Sequence, residues 1–459
     1  MTQHSRLPSL FAMWKYISLL LLPFFLFSQE LEVRLPTRSS LKPIYLSNLH
    51  TDPSQYDWRN FEELRATFEF DLNAGGYFAV ASRLDDLEST FRYPEVRAAF
   101  NLAIWKKQPY SHAISIQVAQ NRFSAVVFDI SKGTSKKYPE FALSGNLDSD
   151  RRHIHRLADA IHKDLTGVEG IASLKILYAK RMKNPHADGP EWHSEIWVCD
   201  SDGANARQVT NEKGYCMSPG FFPKEKEGAD FYYVTEKNGQ SKICRSRLSD
   251  AKGEVWVSLK GNQLLPSVSQ KGNQVAFITD AAGRPDLFVQ NIDSKGDPIG
   301  KARQLFSAPR ATQASSTYSP DGEQIAFVSD KDGPPRIYLM SVGSPKQTSK
   351  PRPALLTKKN RENTSPSWSP DGTKLAYSAK LDGVRQIWIY DFKTEEEYPL
   401  TASPENKENP AWAPDSLHLI YNTEGEDACE LYLVNVNHPE PILINKTSGQ
   451  KRFPTWETR

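Results

Sequence analysis

The chain has 459 residues, and its 57 Lys and Arg nearly balance 55 Asp and Glu, leaving a net charge of +2 and a pI near 8.1. That balance, with no local basic cluster, excludes the positive field that would select nucleic acid or an anionic lipid surface.

At the start of the chain, Arg6 and Lys15 precede an apolar run, Ile17 to Phe27, which contains Pro23 and ends in Ser28-Gln29. A helix must cross roughly 30 Å of hydrocarbon, and this run is too short for that, so residues 1–29 read as an export signal. No cysteine follows it to carry a lipid. The mature chain is therefore expected in an extracytoplasmic space, without membrane insertion.

Residues 30–41 alternate polar and apolar side chains, as a strand-adding peptide would, but Pro36 removes one backbone donor. They are expected to form a mobile segment.

From 42 to 170 the pattern predicts an α/β domain. Pro43 to Leu49 and Tyr77 to Ser82 read as strands on either side of an amphipathic helix over Phe61 to Leu72. Val96, Phe100 and Ile104 recur at helical spacing within Pro94 to Lys107. Ala113 to Ala119, Ser124 to Asp129 and Tyr138 to Leu143 alternate as strands. A last helix, capped by Asp148 or Ser149, runs to about Leu165 with Ile154, Leu157, Ala158, Ile161 and Leu165 on one face.

The rest, 171–459, repeats itself. Ser319-Pro320-Asp321-Gly322, Ser369-Pro370-Asp371-Gly372 and Ala413-Pro414-Asp415-Ser416 each follow an apolar or aromatic residue and precede two short strands separated by a polar turn. Aligned copies open at Pro219, Pro266, Ser316, Pro366, Pro410 and Pro454, a period of 44 to 50 residues. Such a period, with no helical periodicity, fits propeller blades. The first unit begins at a second strand near Leu174, and the last copy stops soon after Phe453-Pro454-Thr455-Trp456. Half a blade at each end makes one whole blade, so six blades in a closed ring are expected.

Cys199, Cys244 and Cys429 fall in or beside third strands of different blades, too far apart for bridging, so free thiols are expected. Catalytic signals are sparse, since no Gly-x-Ser-x-Gly elbow occurs. His155, Asp159 and His162 share a helix face, and His186, Asp188, Glu191 and His193 share a loop. Both groups read as solvated surface rather than metal ligands. No catalytic residue, cofactor or metal is expected.

This order of parts resembles the TolB family, the periplasmic component of the Tol-Pal cell-envelope system. The matching residues are Leu31 to Leu35 in the tail, Lys42-Pro43-Ile44, Asp164 to Gly170 at the junction, and the Ser-Pro-Asp-Gly repeats. The resemblance implies a monomeric periplasmic adaptor, not an enzyme, that supports outer-membrane integrity and cell division. It implies that a TolA-like inner-membrane protein is recognised by the tail, through Glu32, Val33, Arg34 and Leu35. It also implies that a Pal-like peptidoglycan-associated lipoprotein docks on loops before each innermost strand. Those loops offer Asn262, Gln263, Leu265, Gln313, Ala314, Arg361, Glu362, Asn363, Lys407 and Glu408. The rival reading is an exported propeller enzyme acting on a sugar or peptide in the channel, which charged groups converging on the channel would favour.

Overall fold

A computed structural model of the chain describes residues 41–51, 58–81, 84–88, 101–184, 191–223, 230–343, 352–426, 428–445 and 447–459. The export signal, the tail with Glu32 to Leu35, and the His186 and Asp188 positions lie outside these residues.

The N-terminal part is built on strands β1 (Lys42–Thr51), β2 (Phe78–Val80), β3 (His112–Ala119), β4 (Arg122–Asp129), β5 (Thr134–Lys137) and β6 (Phe141–Ala142). Their order is β2-β1-β3-β4-β5, with β6 also on β4. β1 runs parallel to β2 and β3, and the remaining pairs are antiparallel. Alternation decides the faces. Ile44, Leu46, Ile114 and Ile116 point to one side, against α1 (Trp58–Ala74) and a long C-terminal helix. Tyr45, Ala113 and Phe128 point to the other, against α2 (Asp85–Glu88) and α3 (Leu102–Trp105), whose Leu87 and Trp105 are buried.

The long helix, α4 (Leu147–Thr166), buries the expected stripe, but its cap is Asn146, whose side chain accepts from Ser149 N–H. Asn146 retains the extended backbone that a cap needs, while Asp148 and Ser149 already lie inside the first turn. One other expectation changes. Of the strand placed at Tyr138 to Leu143 only Phe141–Ala142 pairs, as β6, while Tyr138, just past the end of β5, turns inward to the core and donates to Asp164. Of the helix expected at Pro94 to Lys107, residues 94–100 lie outside the described residues and Leu102–Trp105 form α3.

The C-terminal part is a propeller of six four-stranded antiparallel blades. Five are contiguous in sequence. The remaining one, counted as the first blade, joins the last strand, Gln450–Trp456, to Lys175–Lys183, Trp192–Asp200 and Arg207–Gln208. Trp456 pairs with Ile176, Gln450 with Arg181, and Glu457 N–H donates to Lys175 O. The ring is closed by pairing between residues 269 to 280 positions apart.

The repeated tetrapeptide now has a cause. Ser319 Oγ and the Glu323 N–H both donate to Asp321 Oδ1, and Gly322 N–H closes the turn on Ser319 O with φ of 73°. The same set recurs at Ser369, Asp371 and Gly372. Where Ser416 replaces glycine, Asp415 turns to His418 Nδ1 at 2.5 Å.

All four cysteines are buried and unbridged, Cys199, Cys216, Cys244 and Cys429. Burial pushes the Cys244 thiol up to about 11 and those of Cys199 and Cys216 higher still.

The N-terminal part packs on the end of the propeller that carries the Ser-Pro-Asp-Gly turns. Phe70, Ala74 and Ile171 join one apolar cluster with Ala413, Leu433 and Ile444. Gly76, at φ 74°, lies so close to Asn435 that a Cβ would stand 2.0 Å from its amide nitrogen, so only glycine fits this contact. Beside it, His155 is buried rather than solvated, and its Nδ1 meets Asp71 Oδ2 at 2.8 Å. Its Nε2 faces Asp202 and Asp200 of the propeller at 3.9 and 4.0 Å. Asp202 also pairs with Arg151, which reaches Glu63 at 3.6 Å. The other two members of that helix trio are structural as well. Asp159 accepts from the backbone of Ala172 and Ser173, and His162 Nδ1 contacts Val168 O. Among the described residues, no three His, Cys, Asp or Glu side chains are grouped to hold a metal ion.

Burial pushes the Asp71 carboxyl up to about 6, with His155 opposing the shift. Burial also works against a charged His155, but the carboxylates of Asp71, Asp202 and Asp200 outweigh it and hold the imidazole above its usual value. Both directions mean that the folded state binds protons more tightly than the unfolded chain. Stability from Asp71 is therefore lost as pH rises from about 3.8 to about 6, and stability from His155 is present below about pH 6.5 and lost as pH rises through its folded pKa. His155→Gln should flatten the slope of Tm against pH between about 6 and 8, and should cost about 3 kcal/mol by leaving Asp71 without its cation. Parallel slopes for variant and wild type would remove the cluster as the source.

Closure gives a second expectation. Trp456 is 3% exposed, so Trp456→Ala should lower unfolding stability by about 3–5 kcal/mol, and removal of 453–459 by more. An unchanged melting temperature in the truncated chain would show that this strand does not hold the ring.

Candidate partner-binding site

Each innermost strand begins at one mouth of the propeller and ends at the Ser-Pro-Asp-Gly side, under the N-terminal part. At the open mouth the segments entering the innermost strands meet the hairpins that join second to third strands. Candidate residues from the sequence divide into two groups there.

Gln263, Gln313, Asn363 and Lys407 stand three residues before the Pro or Ser that opens each copy, and all four are buried. They are the first residues of the innermost strands or next to them, and their polar ends bond to the neighbouring blade or to the incoming segment. Gln263 accepts from Ile243 N–H at 3.4 Å and donates to Leu259 O at 2.9 Å. Gln313 donates to Asp286 Oδ1 of the preceding blade at 3.4 Å and accepts from Ser329 of its own blade at 2.7 Å. Asn363 donates to Thr357 Oγ1 at 3.0 Å, and Lys407 to Glu405 O at 2.9 Å. Cys216 and Lys451 fill the same position in the other two blades, and they are buried too. Buried polar groups need partners, and here the partners stitch blade to blade. Ala314, half-buried, packs on the apolar cluster formed by Ile337, Leu375 and Tyr377.

The second group faces solvent or the channel. Arg361 is exposed. Asn262 bonds Asp280 through its Nδ2 at 2.7 Å and accepts from Ser241 N–H at 3.0 Å. Leu265 lines the channel. Glu362 and Glu408 enter a charged network that sequence reasoning did not assemble. Arg385 reaches Glu362 at 3.3 Å and Glu408 at 3.0 Å, and Lys380 reaches Glu362 at 3.7 Å. Arg452 pairs with Glu424 at 2.6 Å. Burial, opposed by Arg385 and reinforced by Glu424, holds the Glu408 carboxyl above its usual range. The network rims a hollow of about 580 Å³ between the fifth, sixth and first blades.

Lys380, Arg385, Glu424 and Arg452 were missed because they sit on second, third and closing strands. One signal could have found them. Antiparallel order puts the Asp382-Gly383 hairpin at the same end as the segment before the innermost strand, so charges beside that hairpin belong to the mouth.

Below the mouth the channel narrows to a waist lined by Ser, Thr, Pro and Asn with Tyr232, Leu265 and Phe453, and no charged side chain. A register shift interrupts all six innermost strands there. In five of them the residue before proline is left-handed and not glycine: Ser218, Leu265, Ser365, Asn409 and Phe453, with φ from 50 to 53°. Such bulges break the alternation and turn the strand edge toward the axis. Charged groups do converge on the mouth, as an enzyme would require, but Glu362, Glu408 and Glu424 are each neutralised by Arg or Lys.

Residues 162–459 match the family model described as the TolB beta propeller domain. The TolB homolog of Protochlamydia amoebophila is 43% identical over 304 residues, covering 65% of this chain and 64% of that protein. That of Chlamydia felis is 36% identical over 291 residues, covering 63% and 62%. The chain thus spans somewhat under two thirds of the length of these curated relatives. The crystal structure of TolB from Acinetobacter baumannii superposes with a TM-score of 0.71 at 21% identity, over 93% of this chain and 98% of that one, a likeness of fold. On a family match that takes in well over half of its residues, the chain belongs to the TolB beta-propeller family.

Proposed function

We propose that the protein is a monomeric, non-enzymatic adaptor of the Tol-Pal system in the periplasm, supporting outer-membrane integrity and cell division. Its open mouth docks a Pal-like peptidoglycan-associated lipoprotein, and residues 30–41, with Glu32, Val33, Arg34 and Leu35, engage a TolA-like inner-membrane protein. The observation that carries this reading is the mouth itself. Paired, half-exposed charges rim a hollow above a waist without acid or base, on the end that the N-terminal part leaves uncovered. Such a surface suits a wet, hydrogen-bonded protein contact. The family supports the same partners.

Glu362→Lys would place a third cation beside Lys380 and Arg385, and Arg385→Glu would set a carboxylate against Glu408 and Glu362. Each should weaken a titrated Pal-like domain about tenfold or more, with circular dichroism unchanged. Reversal of Arg361 at the rim should cost less, about 0.2–1 kcal/mol. Asn262→Trp supplies a steric block, whereas Ala314→Trp would disturb packing between blades. Unaltered affinity across Arg361, Glu362, Arg385 and Asn262 would place the lipoprotein elsewhere.

The tail is tested separately. Deleting 30–41 should leave the melting temperature nearly unchanged and reduce recovery of a TolA-like partner in pull-downs. Equal recovery would sink that half of the reading. An enzyme working at the mouth is the remaining alternative, favoured by the raised Glu408 carboxyl beside Glu424. Glycan or peptide turnover abolished by Glu408→Gln would establish it.

A further inference from the structure

Where the N-terminal part meets the propeller, two kinds of contact are indifferent to pH. Phe70, Ala74 and Ile171 bury apolar surface against Ala413, Leu433 and Ile444, and Arg151 pairs with Asp202 as a cation at any pH that leaves a protein folded. That packing does not run across the whole boundary. At the end of the channel away from the mouth a cavity of about 660 Å³ lies between Val168 and Glu169 on one side and Tyr318, Trp368, Trp412 and Trp456 on the other.

His155 is a contact of a different kind. It is 1% exposed, and charged groups face it from every element around it. α1 supplies Asp71, with Glu63 behind Arg151, and the propeller supplies Asp200 and Asp202. On its own helix Arg151 and Asp159 flank it one turn away on either side.

The geometry fixes where a proton is taken up. Nδ1 lies 2.8 Å from Asp71 Oδ2, and a carboxylate can only accept, so the neutral ring carries its hydrogen on Nδ1. Nε2 is then a bare lone pair without a hydrogen-bond partner among the described residues, facing Asp202 and Asp200 at 3.9 and 4.0 Å. In that state Arg151 stands against four acidic side chains, Asp71, Glu63, Asp200 and Asp202, and the boundary atom repels the propeller. A proton on Nε2 turns the same contact into attraction.

The turn that carries these acids has no freedom to yield. Gly203 lies so close to the sixth blade that a Cβ would stand 1.5 Å from Ile444 O. Asn205 Nδ2 donates to Asp200 Oδ2 at 2.6 Å, and Gly203 N–H closes the turn on Asp200 O. Repulsion at Nε2 is therefore taken up between the two parts. The neighbouring imidazoles do not bridge them: His162 Nδ1 contacts Val168 O, and His418 is held by Asp415 and Asn435 within the propeller.

We infer that His155 is a proton-operated latch, which holds the N-terminal part on the Asp200–Asn205 turn when Nε2 is protonated and loosens that seat when Nε2 is bare. The direction follows from linkage: carboxylates that favour the charged ring are favoured by it in return, so the seat is tight in mild acid and loosens as pH rises.

The test is single-molecule energy transfer between dyes on Lys107→Cys and Lys393→Cys, both exposed, one on each part of the full chain. One narrow distance is expected at about pH 6 and an added, different distance at about pH 8, their ratio moving about tenfold if the seated form holds the proton tenfold more tightly. Circular dichroism should be equal at both values. His155→Gln should remove the response. Asp202→Asn, which changes only the propeller side, should shrink it and decides the matter even if His155→Gln fails to fold. Identical distances in the wild type at both values, loosening in acid instead of base, or a full response retained in either variant would overturn the inference.

Discussion

Everything in the propeller depends on a seven-residue strand pairing with one that precedes it by 269 to 280 positions. Each blade buries its faces against two neighbours, so an array that failed to close would expose apolar surface at both ends as well as two unpaired edges. Gln450–Trp456 supplies the missing innermost strand of the first blade, and Trp456 enters the cluster shared by blades one and six. That cluster also holds Phe70, Ala74 and Ile171, so the seating of the N-terminal part rests on the same contact.

Within the ring, one strand does several jobs by position. Three residues before the repeat's opening residue, buried Gln, Asn, Lys or Cys ties blades together. One residue before it, a left-handed bulge faces the waist. Two residues after it, a ring or Val268 lines the far cavity. The bulge makes this possible. By adding a residue to an otherwise strict alternation, it lets side chains on either side of it serve different surfaces of the same strand.

Much of this was legible in the sequence because it is written by local chemistry. The Ser-Pro-Asp-Gly turn specifies its own hydrogen bonds, and the incomplete first and last units announced closure. The stripe on α4 was equally plain. What escaped depends on tertiary placement. His155 and His162 look like a polar helix face until the propeller's Asp202 and the chain at Val168 are set against them. Gln263 and Asn363 look like loop polarity until their partners in neighbouring segments are known. Arg385 and Arg452 were invisible as a pair of anchors because blades five, six and one meet only in space.

The buried thiols carry a consequence for how such a chain would meet an oxidant. Thiolate, not thiol, reacts with oxidants and disulfides, and burial suppresses the thiolate at Cys199, Cys216 and Cys244. Once folded, these three sulfurs are buried and hold little thiolate. Before folding they are ordinary reactive groups, and because the ring cannot shut until its last strand has arrived, all four stay vulnerable to mispairing until then. Exposure of these three thiols to oxidants is thus greatest before the ring closes, and fast closure shortens it.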